Sequence, residues 1–137
     1  MNMSITMNPD PVDYADISTD NHPLFRLLVD VKIDIDFNGD QHSVTIPARF
    51  ETDFGSVPAV FDWLVPPLGV CDPAYLLHDG MFSTLWMSFS GAWDLTMHEA
   101  NEILRSNLEW RGLSEFRSEA AFLAVDLCGA SHWRVAA

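Results

Sequence analysis

Two residue classes are scarce in this chain, and their scarcity excludes a good deal. Among 137 residues there are two cysteines, Cys71 and Cys128, too few for a disulfide framework and not spaced as a CxxC pair. They read as free thiols of a reducing compartment, behaving as small apolar residues. Lysine and arginine together number seven against 20 acids, for a formal net charge of −13. Cations scattered singly make no basic stripe along a phosphate backbone, so direct nucleic-acid binding is not expected. No apolar run approaches the ~18 residues that a membrane-spanning helix needs. The N-terminus, MNMSITMNPDPVDYADISTD, has neither a basic start nor an apolar centre and does not read as a signal peptide.

What is present suffices for one folded domain. The chain is 48% hydrophobic with nine phenylalanines, and a chain of this length buries roughly two-thirds of the surface its unfolded form exposes. Global disorder is therefore not expected despite the charge. An acidic surface suits solubility, a basic partner, bound cations or mimicry of a nucleic-acid backbone.

The acids are unevenly placed. Residues 1–23 hold Asp10, Asp13, Asp16 and Asp20, three prolines and no Lys or Arg. With no periodicity in view, this segment reads as an acidic extended arm, ordered only by lying against the domain of residues 24–137 or against a neighbouring subunit. Residues 1–40 as a whole carry eight acids against Arg26 and Lys32, a net of −6. A basic partner surface facing this region is the corresponding expectation.

Period two follows the arm. Val29, Val31, Ile33, Ile35 and Phe37 alternate with Asp30, Lys32, Asp34 and Asp36, the pattern of a strand with one wet face. Asn38-Gly39-Asp40 is a hairpin turn, because Asn and Gly accept positive φ. His42–Ile46 is the return strand, closed by Pro47. Helical signals then take over. Ser56-Val57-Pro58 opens a short helix that ends before Pro66-Pro67. Asp72-Pro73 opens a second, with Asp as N-cap, running to about Met87. Thr96-Met97-His98-Glu99 is a capping box for a third, with Ala100, Ile103, Leu104 and Leu108 at helical spacing and Gly112 at its end. Ser114 opens the last, which carries Phe116, Ala120, Leu123, Val125 and Leu127. The fold class expected is α+β, a small N-terminal antiparallel sheet packed on about four helices.

The residues with chemical potential lie between positions 47 and 82. Asp53 and Ser56 occupy the loop PARFETDFGSVP, and His78 and Asp79 are neighbours in AYLLHDGMF. Two carboxylates and an imidazole, Asp53, His78 and Asp79, can act as an acid/base set or hold a divalent metal. Adjacent helical residues diverge by about 100°, so His78 and Asp79 cannot both face one small pocket. One can serve as ligand or base while the other orients a loop. Structural roles are open to the same residues: Asp53 accepting loop N–H groups, Ser56 capping a helix, His78 donating to a buried carboxylate. Five tryptophans are many for this length, and MFSTLWMSFSGAW is apolar enough to be a contact surface. His42 and His132 stand singly. No Walker loop, GxSxG elbow, HExxH helix or zinc-finger spacing occurs.

The run VTIPARFETDFGSVP, then LLHDGMF, then HEANEIL resembles the phage- and prophage-associated DUF1353 family. The resemblance spans roughly residues 24–130 and rests on Thr52-Asp53 with Ser56-Val57-Pro58, and on His78-Asp79 with Phe82. It marks Thr52, Asp53, Ser56, Pro58, His78, Asp79, Phe82 and Asn101 as signature positions. Two depart from the family pattern. Arg49 stands where a glycine is usual, and Asn101 stands where an acid is usual, and an amide neither takes a proton near neutral pH nor binds a metal with charge.

The function expected is that of a virion accessory component, associated with capsid, neck or tail and docking on other virion proteins through the acidic arm. The alternative is a small metal-dependent or acid/base hydrolase acting on the cell envelope. A third reading is an acidic decoy that blocks a host nucleic-acid-binding protein. Asp53 is expected to organise the loop and helix start, and His78 to link that loop to the second helix.

Overall fold

Strands fill the first part of the chain and helices the second. The computed structural model describes residues 3–19, 24–52, 71–128 and 133–134. In chain order these hold β1 (Met3–Asn8), β2 (Tyr14–Asp16), β3 (Phe25–Leu27), β4 (Val31–Phe37), β5 (Asp40–Ile46), β6 (Glu51–Thr52), α1 (Asp72–Phe82), α2 (Trp86–Phe89), α3 (Met97–Trp110) and α4 (Glu115–Cys128). The class is α+β, as the pattern of the sequence implies. The helix expected at Ser56-Val57-Pro58 lies outside the described residues, as do Asp53 and His132.

The hairpin of β4 and β5 forms where alternation and turn chemistry agree. Asn38 and Gly39 take φ of 53° and 89°, the left-handed pair that a two-residue turn between right-twisted strands requires. Phe37 faces Asp40 across it, and the ladder runs to Val31 opposite Ile46. Val31, Ile33, Ile35, Phe37, Val44 and Ile46 are buried on one face, while Lys32 and Asp34 lie on the wet one. The strand begins two residues later than its alternation suggests, and Val29 is exposed.

The N-terminal segment lies against the rest of the domain, and it does so as a strand of its sheet. Residues Met3–Asn8 run antiparallel along β4, from Met3 opposite Phe37 to Asn8 opposite Lys32. The reason is a short alternation inside an acidic context: Ile5 and Met7 are buried, and Ser4, Thr6 and Asn8 are exposed. One sheet therefore has the order β1-β4-β5, and a second has β2-β3-β6. Several of the nearby acids are engaged within the fold. Asp10 accepts from Arg111 Nη2 at 3.0 Å, Asp30 from Ala48 N at 2.8 Å and Asp34 from Ser43 Oγ at 3.0 Å.

α1 is buried on nearly every side, with Ala74, Tyr75, Leu76, Leu77, His78 and Met81 all in the core. It packs on α3, and α3 packs on α4 and against β1. Gly80 is where α1 crosses β5, since a Cβ there would stand 2.9 Å from Ile46 Cδ1. The expected N-cap of α1, Asp72, is already the first helical residue, and Cys71 caps without a side-chain bond. The helix also stops earlier than its apolar spacing implies. Ser83 turns extended, its Oγ accepts from Leu85 N at 3.1 Å, and its carbonyl accepts from Trp86 N at 3.1 Å. A serine that offers the backbone this local alternative ends one helix and starts the short α2. Trp86 and Phe89 are buried, leaving Leu85 and Met87 as the exposed part of the apolar stretch.

The last carbonyls of α1 are met from far away in sequence. Arg134 N donates to Phe82 O at 2.8 Å, and Arg134 Nε donates to Met81 O at 3.3 Å. A cation at a helix C-terminus also complements the macrodipole. α3 opens on the expected capping box, with Glu99 N donating to Thr96 Oγ1 at 3.1 Å and Thr96 N donating to Glu99 Oε1 at 3.0 Å. Gly112, at φ 99°, follows its end. In α4 the buried residues are Ser118, Ala121, Phe122 and Ala124, whereas Phe116, Leu123 and Leu127 face outward.

Candidate functional site

His78 and Asp79 diverge as helix geometry demands. Asp79 reaches sideways to the sheet layer, where Thr52 at the end of β6 donates its hydroxyl to Asp79 Oδ2. His78 points the other way, into the contact between α1 and α3. Its Nε2 lies 2.8 Å from Asn101 Oδ1, and the imidazole is only 8% exposed. Phe82, one turn further along α1, packs its ring 4.5 Å from the imidazole, and Trp133 closes on Phe82 edge-on at 4.9 Å.

Asn101 is fully buried and is the junction of the site. While Oδ1 faces His78, its Nδ2 donates to Asp126 Oδ1 on α4 at 3.0 Å. Burying a side-chain amide without partners costs ~1–3 kcal/mol, and both ends of this one are satisfied. Asp126 Oδ1 also stands 3.6 Å from His98 Nδ1, whose Nε2 meets Glu102 Oε1 at 3.1 Å. The polar line therefore runs from α1 through α3 to α4 and out to solvent at His98.

The sequence-derived set is thus divided. Thr52 with Asp79, and His78 with Asn101 and Phe82, are brought together in two adjoining contacts, one on either side of α1. Asp53, Ser56 and Pro58 lie outside the described residues. The expected role of His78 gains a partner that sequence reasoning had not given it. His78 binds α1 to α3, and Asp79 binds α1 to β6. Among the described residues, no three of His, Cys, Asp and Glu stand close enough to hold a metal ion.

Asp126 is the residue that sequence reasoning missed. A signal exists for it: it is the one charged residue in the apolar run AAFLAVDLC of α4. An acid in such a run points to a specific partner, because burial without one is costly.

The profile of a family described as a protein of unknown function (DUF1353) matches residues 29–125. The chain belongs to this family. The match begins just before β4 and ends one residue before Asp126, so it takes in Thr52, His78, Asp79 and Asn101 and leaves β1–β3 outside. No curated protein and no solved structure matches the chain.

Proposed function

We propose that this protein is an accessory structural subunit of a phage particle, docked on a larger virion protein with an apolar, basic-rimmed surface. The observation that carries this reading is on α4. Phe116, Leu123 and Leu127 are 69%, 49% and 78% exposed, and spacings of seven and four residues set them within about 40° of one another around the helix. α4 already buries Ala121, Phe122 and Ala124 on another face. A second apolar face is surplus to the fold and marks a contact surface.

The charge around this face argues for the kind of partner. Glu109 and Glu115 are exposed near its start, and the chain carries −13 overall. Two copies meeting here would repel, whereas a partner with lysines and arginines around an apolar patch would be attracted. The acidic N-terminal third, net −6 over residues 1–40, would steer that partner from a distance. The phage and prophage setting of the family that the motifs resemble supplies the larger assembly.

The test is composition. Gradient-purified particles from a phage encoding this chain should contain it in a fixed ratio to the major structural proteins. A chain made in infected cells but missing from particles would overturn the reading.

One observation favours a second reading, a small hydrolase acting on the cell envelope. His78 is held by an amide that is itself held by a carboxylate, as the base of an acid/base site must be held. That reading predicts cleavage of purified peptidoglycan by the wild-type chain and loss of cleavage in a folded His78→Gln variant.

A further inference from the structure

We propose that the outer edge of β5 pairs with β5 of a second copy, joining two sheets of order β1-β4-β5 into one antiparallel sheet across a two-fold axis. The inference goes beyond the docking of α4, which uses a different element of the fold.

The argument starts at the turn. Asn38 and Gly39 form a two-residue connection, so Phe37 and Asp40 on either side of it are a hydrogen-bonded pair. Hydrogen-bonded and non-hydrogen-bonded pairs alternate from there. Asp40, His42, Val44 and Ile46 therefore turn their N–H and C=O groups to β4, and Gln41, Ser43 and Thr45 aim theirs outward. Among the described residues no strand borders β5 on that side, and no backbone hydrogen bond reaches those outward groups.

Natural edges are usually blunted, and this one is not. β5 pairs with β4 without a bulge over its 7 residues, and Pro47 comes only after its end. It holds no lysine. The opposite edge is treated differently: α3 packs against β1, and Arg111 Nη2 reaches from the end of that helix to Met7 Sδ at 3.6 Å.

Charge selects the occupant. A basic partner would need acids along the edge, yet the wet-face side chains Gln41, Ser43 and Thr45 are exposed and neutral in a chain with 20 acids. They suit a copy of themselves. An antiparallel pair centred on Ser43 sets Ser43 against its equivalent and Gln41 against Thr45. Asp40 then falls opposite Ile46, and the two Asp40 carboxylates stand about 20 Å apart at ~3.3 Å per residue, beyond the ~8 Å Debye length of physiological salt. Asp34 and its equivalent are separated by three strand spacings, ~14 Å. α2, which packs on β5, adds Leu85 and Met87 as exposed apolar surface for the junction.

The experiment is sedimentation equilibrium of the full chain from low to high micromolar concentration. The wild type should move from the 15.4 kDa monomer toward twice that mass. It should do so more readily in high salt, because screening reduces the repulsion between two chains of −13. Amide exchange locates the contact: Gln41, Ser43 and Thr45 should exchange about tenfold or more slowly in the concentrated sample than in the dilute one, the order that one net hydrogen bond sets. In Ser43→Pro the N–H that is lost points out of the sheet, so the chain should keep its fold by thermal melt and lose the dimer. A wild type that stays monomeric at the highest concentration overturns the proposal without recourse to any variant. So does a dimer whose β5 amides exchange at the monomer rate, one that a folded Ser43→Pro retains, or one that salt dissociates.

Discussion

Asp10 and Arg111 stand 101 positions apart and meet at 3.0 Å, joining the end of β1 to the end of α3. The Arg111 side chain is only 8% exposed, and its guanidinium also donates to Asn107 Oδ1 at 3.3 Å and lies 5.5 Å from the centre of the Trp110 ring. Removing the carboxylate takes a charge-assisted hydrogen bond from a largely buried cation, so Asp10→Ala should lower stability by ~1–3 kcal/mol in a urea titration. Deleting residues 1–12 should do far more, because it strips Ile5, Met7 and Val12 from the core and uncovers the edge of β4. A truncated chain with the wild-type midpoint would make the segment a detachable arm after all.

How much of this was legible in the sequence depends on whether the signal is local. The β4–β5 hairpin was, because alternation and Asn38-Gly39 both lie within it. The start of α3 was, because Thr96 and Glu99 are three residues apart. β1 was obscured because its six alternating residues precede Pro9, Pro11 and four aspartates, which carry the composition of a flexible tail. The break after Phe82 was hidden because Met81, Leu85, Trp86 and Phe89 keep helical spacing across it while Ser83 turns the backbone. At the site, His78, Asp79 and Asn101 were legible as positions, but their partners were not. The pairings Thr52 with Asp79 and Asn101 with Asp126 exist only once β6, α1, α3 and α4 are packed.

Tyr75 offers a test of a different kind. Its hydroxyl is buried, and among the described residues it has no hydrogen-bond partner. Burial, with the nearby Cys71 adding to it and Arg117 opposing, pushes the phenol above its ordinary range. A desolvated hydroxyl without a partner costs ~1–3 kcal/mol. Tyr75→Phe, which keeps the ring, should therefore melt at the wild-type temperature or a few degrees above it. A clear drop would reveal a hydrogen bond to that oxygen.

Asp16 should leave a small signature in the pH dependence of stability. Hydrogen bonds from Ser18, through its hydroxyl first and its backbone N–H second, hold the carboxyl below its ordinary value of 3.8. A carboxyl whose folded pKa is depressed stabilises the fold above its unfolded pKa, and this contribution is lost as the pH falls through the folded value. Asp16→Asn should therefore show its largest deficit relative to wild type near neutral pH, with the two melting curves converging well below pH 3.8. The group is exposed, so the deficit should shrink further in high salt. A deficit that grows on acidification would contradict the assignment.

The outer face of α4 makes a prediction that separates folding from docking. Leu123 and Leu127 contribute little to the core, being 49% and 78% exposed. Replacing either by aspartate should change stability by no more than ~0.5 kcal/mol, the range for surface sites away from special features. Each change nevertheless puts a charge at the centre of the apolar face, where a docked partner would have to desolvate it. The double variant Leu123→Asp/Leu127→Asp should therefore keep the wild-type melting temperature while its incorporation into particles falls at least tenfold in a complementation assay. Lys32→Glu, a charge change on the sheet face away from α4, serves as the control and should leave incorporation within about twofold, as expected where only long-range electrostatics are altered. If the double variant is incorporated like the wild type, α4 is not the docking face. If it unfolds, the face is covered within the chain rather than by a partner.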